Sequence, residues 1–224
     1  GSKVKNKSNS RKVLKKNQRN FNIGNLFLIC FFTLLLILGY FLYDLPDINN
    51  IKPIDTRASI TILADDNSVI ASYGGKNQKI VRYNEVPQYL IDAIVAIEDN
   101  RFFEHFGIDL IGIARAFTVN IKRGSFAQGG STITQQLTKN LFLTPKKNIK
   151  RKVQEAFMAL QLERVFTKEE IIEAYINRVY LGAGAYGIQD AAQIYFNKDA
   201  KDLNLWESAI IAGLLKAPSR YSPL

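Results

Sequence analysis

Residues 26–43 are apolar throughout apart from Thr33 and Gly39, and no charge occurs between Arg19 and Asp44. Eighteen residues at helical rise span ~27 Å, about one bilayer hydrocarbon core, so the run predicts a membrane-spanning helix. Beyond it come two short runs of strand-forming residues. Ile60-Thr61-Ile62-Leu63 and Val69-Ile70-Ala71-Ser72-Tyr73 flank Asp65-Asp66-Asn67-Ser68, which predicts a β-hairpin. From Pro87 onward the period is helical. Leu90, Ile91, Ile94 and Ile97 predict one helix, and Leu110, Ile113, Ala114, Phe117 and Ile121 predict an amphipathic helix over residues 108–122. Ser131 or Thr132 caps a further helix, residues 149–166 form another, and Thr167 with Glu170 forms a capping box for the next. Asn204 and Glu207 open a helix that reaches Leu215.

Charge sharpens this picture. Eight of the 30 basic residues and none of the 20 acids lie in residues 1–43, so the rest of the chain is nearly neutral. A nucleic-acid-binding domain would carry its basic footprint on the folded part. The basic tail next to an apolar span fits the positive-inside rule, with the N-terminus cytoplasmic and the chain beyond Asp44 outside. The run is long for a signal peptide and no small-residue cleavage site follows it. The expected organisation is a basic tail over residues 1–25, a transmembrane helix over 26–43, a linker over 44–57 with Pro46 and Pro53, and one domain over 58–224. The single cysteine, Cys30, lies in the span, so disulfides and a cysteine nucleophile are excluded from the domain. His105 is the only histidine, which rules out a multi-histidine metal site.

Candidate chemistry gathers in a few clusters. The helix through Ile97 delivers Glu98 and Asp99 at its C-terminal end, beside Phe102 and Phe103. The negative end of the helix dipole and the aromatic neighbours make this a poor place for carboxylate charge, a setting that suits a general base. A solvated acid pair is the plainer reading of the pair alone. A glycine-rich loop, residues 124–130, leads into Ser131-Thr132-Ile133-Thr134-Gln135-Gln136-Leu137-Thr138-Lys139-Asn140. Free N–H groups at that helix start would form an anion cradle. Arg151 and Lys152 stand four and three residues before Glu155 on one helix face. They form either a surface ion-pair ladder or a cationic wall for a phosphate leaving group. Tyr175, Asn177, Tyr180, Tyr186 and Tyr195 suit either a sugar groove or core packing.

Taken in order, Glu98-Asp99-x-x-Phe102-x-x-His105-x-Gly107, Gly130-Ser131-Thr132-Ile133-Thr134-Gln135-Gln136-x-x-Lys139-Asn140, Arg151-Lys152-x-x-Glu155, Tyr175-x-Asn177 with Gly182 and Tyr186-Gly187, and Ala217-Pro218-Ser219-x-Tyr221 closely resemble the peptidoglycan glycosyltransferases of family 51. These are the glycan-polymerising domains of class A penicillin-binding proteins and the monofunctional transglycosylases. The resemblance covers residues 58–224, and its early hairpin is more like the class A proteins.

The resemblance implies a mainly α, lysozyme-like domain with a small β-hairpin, preceded by one transmembrane helix and lying outside a bacterial cell membrane. The implied substrates are lipid II and the growing glycan chain, joined with inversion at C1 and release of undecaprenyl pyrophosphate. Glu98 would be the general base, and Glu155 the catalytic group that positions the donor pyrophosphate. Asp99, Phe102, His105, Ser131, Thr132, Gln135, Gln136, Lys139, Asn140, Arg151, Lys152, Tyr175 and Asn177 would bind substrate or hold the site. The motifs require no cofactor; a divalent cation, Mg2+ or Mn2+, near Glu155 is the one candidate. Implied partners are the bilayer and other cell-wall synthesis proteins, with no nucleic acid. Family domains continue through more helix, so the domain is expected to be truncated at its C-terminal end, and no transpeptidase motif follows. The alternative is a membrane-anchored lytic muramidase or lytic transglycosylase. Cleavage of neutral glycan has no use for the Lys139, Arg151 and Lys152 charges. A non-catalytic scaffold would leave Glu98 dispensable.

Overall fold

The computed structural model describes residues 23–43, 45, 60–63, 69–73, 79–125, 128–143 and 148–222. The basic tail through residue 22, most of the 44–57 linker, the turn at Asp65 to Ser68, and Phe126 and Ala127 of the glycine-rich loop lie outside them. The chain divides into two units, residues 1–44 and 45–224.

In the first unit, helix α1 spans Ile23–Leu42. It starts three residues before the predicted span. Ile23, Gly24 and Asn25 carry no charge that would end the helix. The span is long and apolar enough to cross a membrane.

In the second unit, β1 (Ile60–Leu63) and β2 (Val69–Tyr73) pair antiparallel, Ile60 opposite Tyr73, with an irregularity at Ile62/Leu63. The remainder is helical: α2 Gln88–Glu98, α3 Leu110–Arg123, α4 Ile133–Phe142, α5 Ile149–Val165, α6 Lys168–Ile176, α7 Ile188–Phe196, α8 Leu205–Leu214 and α9 Pro218–Tyr221. The unit is mainly α with a small hairpin, as the sequence predicts.

Capping explains where several helices start. Thr132, Thr167 and Asn204 each accept from the N3 backbone N–H, and the side chains of Gln135, Glu170 and Glu207 return the bond. Pro87 is the N-cap of α2 rather than its first helical residue. Its ring fixes φ at −56°, and its missing N–H costs nothing at that position.

Helix α2 packs on α8, and α4 packs on α5 and α6. Leu90, Ile91 and Ile94 of α2, Ile133 and Leu137 of α4, Met158 and Leu162 of α5, and Ile171, Ile172 and Ile176 of α6 fill one core. Each such side chain contributes about 1.5–3 kcal/mol on burial. Helix α3 departs from the expectation for an amphipathic helix. Its buried residues are Gly112 and Ala116, while Leu110, Ile111, Ile113, Phe117 and Ile121 remain exposed. The small residues face inward because the neighbours are close. A Cβ on Gly112 would meet Asp109 Oδ2 at 2.3 Å, and one on Gly130 would touch the Ile113 backbone at 3.3 Å.

Candidate active site

Glu98 ends α2 and lines a cavity of about 550 Å³. Its Oε2 accepts from Gln136 Nε2 of α4 at 2.6 Å, which fixes the carboxylate against the wall. Gln136 Oε1 in turn accepts from the Tyr175 hydroxyl at 3.4 Å. Burial, and then the negative charge of Glu98, raise the pKa of that hydroxyl well above its ordinary value.

The same cavity is lined by Ser131 and Thr132 before α4, by Arg115 and Arg123 of α3, and by Lys216 after α8. These three cations were not among the sequence candidates. Arg115 donates to Asn100 Oδ1 at 3.1 Å. Asn120 of α3 clamps the glycine-rich loop, accepting from Gln128 N at 2.9 Å and donating to Gln128 O at 3.0 Å. That clamp sets Gly129 and Gly130 into the cavity wall.

Lys152 of α5 connects the cationic helix to this wall. Its ammonium donates to Ser131 Oγ at 2.7 Å and to Glu155 Oε1 at 2.5 Å. Glu155 is 2% exposed and does not line the cavity. It acts on the wall only through Lys152. Asn148 caps α5 by accepting from the Arg151 N–H at 2.7 Å. Lys139, Asn140 and Arg151 do not line the cavity; Lys139 sits one turn along α4 from Gln136.

The remaining sequence candidates are placed differently from a substrate surface. Asp99 also lines the cavity, but it turns its carboxylate to the α4 N-terminus, where Oδ2 accepts from Ile133 N–H at 3.0 Å. His105 Nε2 lies 3.0 and 3.1 Å from the two Asp99 oxygens. A carboxylate can only accept, so Nε2 carries the proton. The anion cradle expected at the start of α4 is therefore already filled. Ile133 N–H serves Asp99, and Gln135 N–H serves Thr132 Oγ1. Thr132 Oγ1 itself donates to Gly107 O at 2.7 Å. Phe102 is wholly buried, edge-on to Phe103 with ring centroids 5.1 Å apart, and Lys168 Nζ sits 4.3 Å from its ring centroid. Gln135, Tyr175 and Asn177 are each at most 2% exposed. The Asn177 side chain accepts from Val81 N–H at 2.9 Å and donates to Val81 O at 2.8 Å, tying the segment before α2 onto α6. Tyr180 and Tyr186 pack on each other with centroids 5.0 Å apart, away from this cavity.

No group of three or more acidic, histidine or cysteine side chains converges among the described residues. Glu155 is already matched by the Lys152 ammonium. These residues do not make a divalent-cation site, so no step of the chemistry is derived through one.

The cavity thus gathers the carboxyl residues Glu98, Asp99 and Asp109 with the cations Arg115, Arg123 and Lys216. The chain belongs to the transglycosylase family, whose model matches residues 66–224. It is 44% identical over 191 residues to penicillin-binding protein 1A of Vibrio cholerae serotype O1, covering 84% of this chain and 23% of that protein. It is 45% identical over 181 residues to penicillin-binding protein 1A of Escherichia coli strain K12, covering 81% and 21%. The protein of the same name from Pseudomonas aeruginosa is 42% identical over 189 residues, covering 83% and 23%. The chain thus spans under a quarter of the length of these relatives.

Proposed function

We propose that this domain polymerises lipid II into β-1,4-linked glycan strands on the outer face of a bacterial membrane. The observation that carries the reading is the placement of Glu98. It lies on a cavity wall, held by Gln136, with Ser131 and the cations Arg115, Arg123 and Lys216 lining the same space, and Lys152 behind the lining, bonded to Ser131. The acceptor sugar's 4-hydroxyl gives its proton to the Glu98 carboxylate. Its oxygen forms the new bond to C1 of the donor, and the C1–phosphate oxygen bond breaks on the opposite side with inversion. Undecaprenyl pyrophosphate leaves as an anion, which basic side chains stabilise without protonating it.

Arg115, Arg123 and Lys216 line the space that the leaving group would enter, and Lys152, aligned by buried Glu155 and Ser131, backs that wall. Glu155 is then a positioning residue, because its carboxylate does not reach the cavity. The commitment of Asp99 to α4 and His105 also favours transfer over lysis, since a glycosidase needs a second working carboxyl group beside the first. The exposed apolar stripe of α3 suits a domain whose substrate keeps a polyprenyl tail in the bilayer. The basic tail orients α1 with its N-terminus in the cytoplasm.

The test is a gel assay of the full chain with purified lipid II in detergent. Wild type is expected to make long strands, and Glu98→Gln to lose about a hundredfold or more in rate. Undiminished polymerisation by Glu98→Gln would sink the reading. Release of soluble fragments from purified peptidoglycan would replace it with a lytic activity.

A further inference from the structure

We infer that Tyr175 is a positioning residue for the base, acting through the Gln136 amide and never touching substrate. The inference rests on the glycosyl-transfer reading of Glu98. Tyr175 is 1% exposed and belongs to α6, whereas Glu98 ends α2 and Gln136 lies on α4. The three side chains form one line across three helices. The Tyr175 hydroxyl donates to Gln136 Oε1, and Gln136 Nε2 donates to Glu98 Oε2.

The order of donors in that line is forced. An ionised Glu98 can only accept, so it must meet the amide nitrogen. The amide oxygen then faces Tyr175 and needs a donor there. A phenol supplies one only while it keeps its proton. Burial and the Glu98 charge together hold the hydroxyl protonated well above its ordinary range. The amide would otherwise be free to rotate by half a turn and present its oxygen to the carboxylate, repelling it. Tyr175 removes that alternative and leaves the base in one orientation when the acceptor arrives. Precise orientation of this kind appears in turnover, not in ground-state binding.

The experiment is a double-mutant cycle on the full chain with purified lipid II, using Tyr175→Phe, Gln136→Met and the pair. Tyr175→Phe keeps the ring in the core and removes only the hydroxyl. It is expected to lower kcat about fivefold, the scale of one lost hydrogen bond, with KM for lipid II unchanged. Gln136→Met is expected to cost more, and adding Tyr175→Phe to it should cost nothing further. Three outcomes overturn the inference: unchanged kcat in Tyr175→Phe, a raised KM, or full additivity in the pair. Should Tyr175→Phe alone fail to fold, the Gln136→Met background strands no amide oxygen and still gives the decisive comparison. Its kcat must be the same with Tyr or Phe at 175. Glu98→Gln is run alongside. If that variant stays active, the glycosyl-transfer reading has failed. If it is inactive while Tyr175→Phe is fully active, only the positioning role has failed.

Discussion

The cavity wall around Glu98 and the buried knot around Asp99 start at adjacent residues, yet their polar groups are committed in opposite ways. On the wall, Glu98 has one oxygen held by Gln136, and Arg115, Arg123 and Lys216 stand around the same space. In the knot, Asp99 is 7% exposed and satisfied by Ile133 N–H and His105. Thr132 and Gly107 close it from the other side. The helix end separates the two side chains. Asp99 leaves the helix with φ −159° and ψ 74°, in contrast to Glu98, the last helical residue. Two acids in sequence thus become a carboxylate on a cavity wall, the proposed base, and a structural fastener. Acidity and position in a motif do not reveal which is which; the hydrogen-bond partners do.

Substitutions at the two acids should separate these roles most sharply. Glu98→Gln is expected to remove turnover and leave the unfolding midpoint where it was. Asp99→Ala strands the Ile133 N–H and the His105 ring in a buried place, and should cost about 3 kcal/mol of stability. Urea denaturation of both variants checks the contrast, and a stable Asp99→Ala protein would show that the knot holds nothing. Gly107→Ala comes next. Gly107 has φ +86°, and an added Cβ would sit 2.7 Å from Ala159 O on α5. Its expected cost is about 2 kcal/mol, from the left-handed backbone and the displaced helix. An unchanged denaturation midpoint in Gly107→Ala would mean that the Gly107 turn is not held against α5.

Much of the scaffold is legible in the sequence because its signals are local. The three capping boxes at Thr132, Thr167 and Asn204 each reside within four residues, and each marks a true helix start. The hairpin follows from two strand-forming runs flanking a polar turn signal, and α1 from an unbroken apolar stretch. Helix α7 carries no such signal. It starts after Gly187 at φ +83° with no side-chain cap, so nothing in its first turn announces it. The site is legible only in part. Glu98, Ser131 and Gln136, named from the motifs, line one cavity, and Lys152 is bonded to Ser131. Arg115 and Arg123 of α3 and Lys216, after α8, come to the same cavity from distant parts of the chain, through packing that no local pattern encodes. Tyr175 and Asn177 show the opposite error. Aromatic and amide residues at helical spacing fit a groove or a core equally well, and here they are core.

The smallest effect concerns a third arrangement of charge, exposed instead of buried. Lys79 donates to Asp199 Oδ2 at 2.7 Å, and Gln189 and Gln193 donate to Asp199 Oδ1. The Lys79 hydrogen bond, followed by that of Gln189, holds the Asp199 carboxyl below its ordinary 3.8. The same bond raises Lys79 above its ordinary 10.5. A lowered carboxylate stabilises the fold above its ordinary value, and that contribution fades as pH falls through the lowered one. A raised lysine stabilises below its ordinary value, and the contribution fades as pH rises through the raised one. The pair therefore acts across the whole interval between 3.8 and 10.5. Lys79→Met should lower the thermal midpoint slightly at pH 7. The difference from wild type should close once Asp199 is protonated, and also at about 1 M salt, where exposed charges are screened within ~3 Å. Asp99 shares no such solvent contact, so the deficit of Asp99→Ala at pH 7 should survive the same salt. A Lys79→Met deficit that persists at high salt would mean that the hydrogen bond to Asp199, rather than screened charge, stabilises this corner.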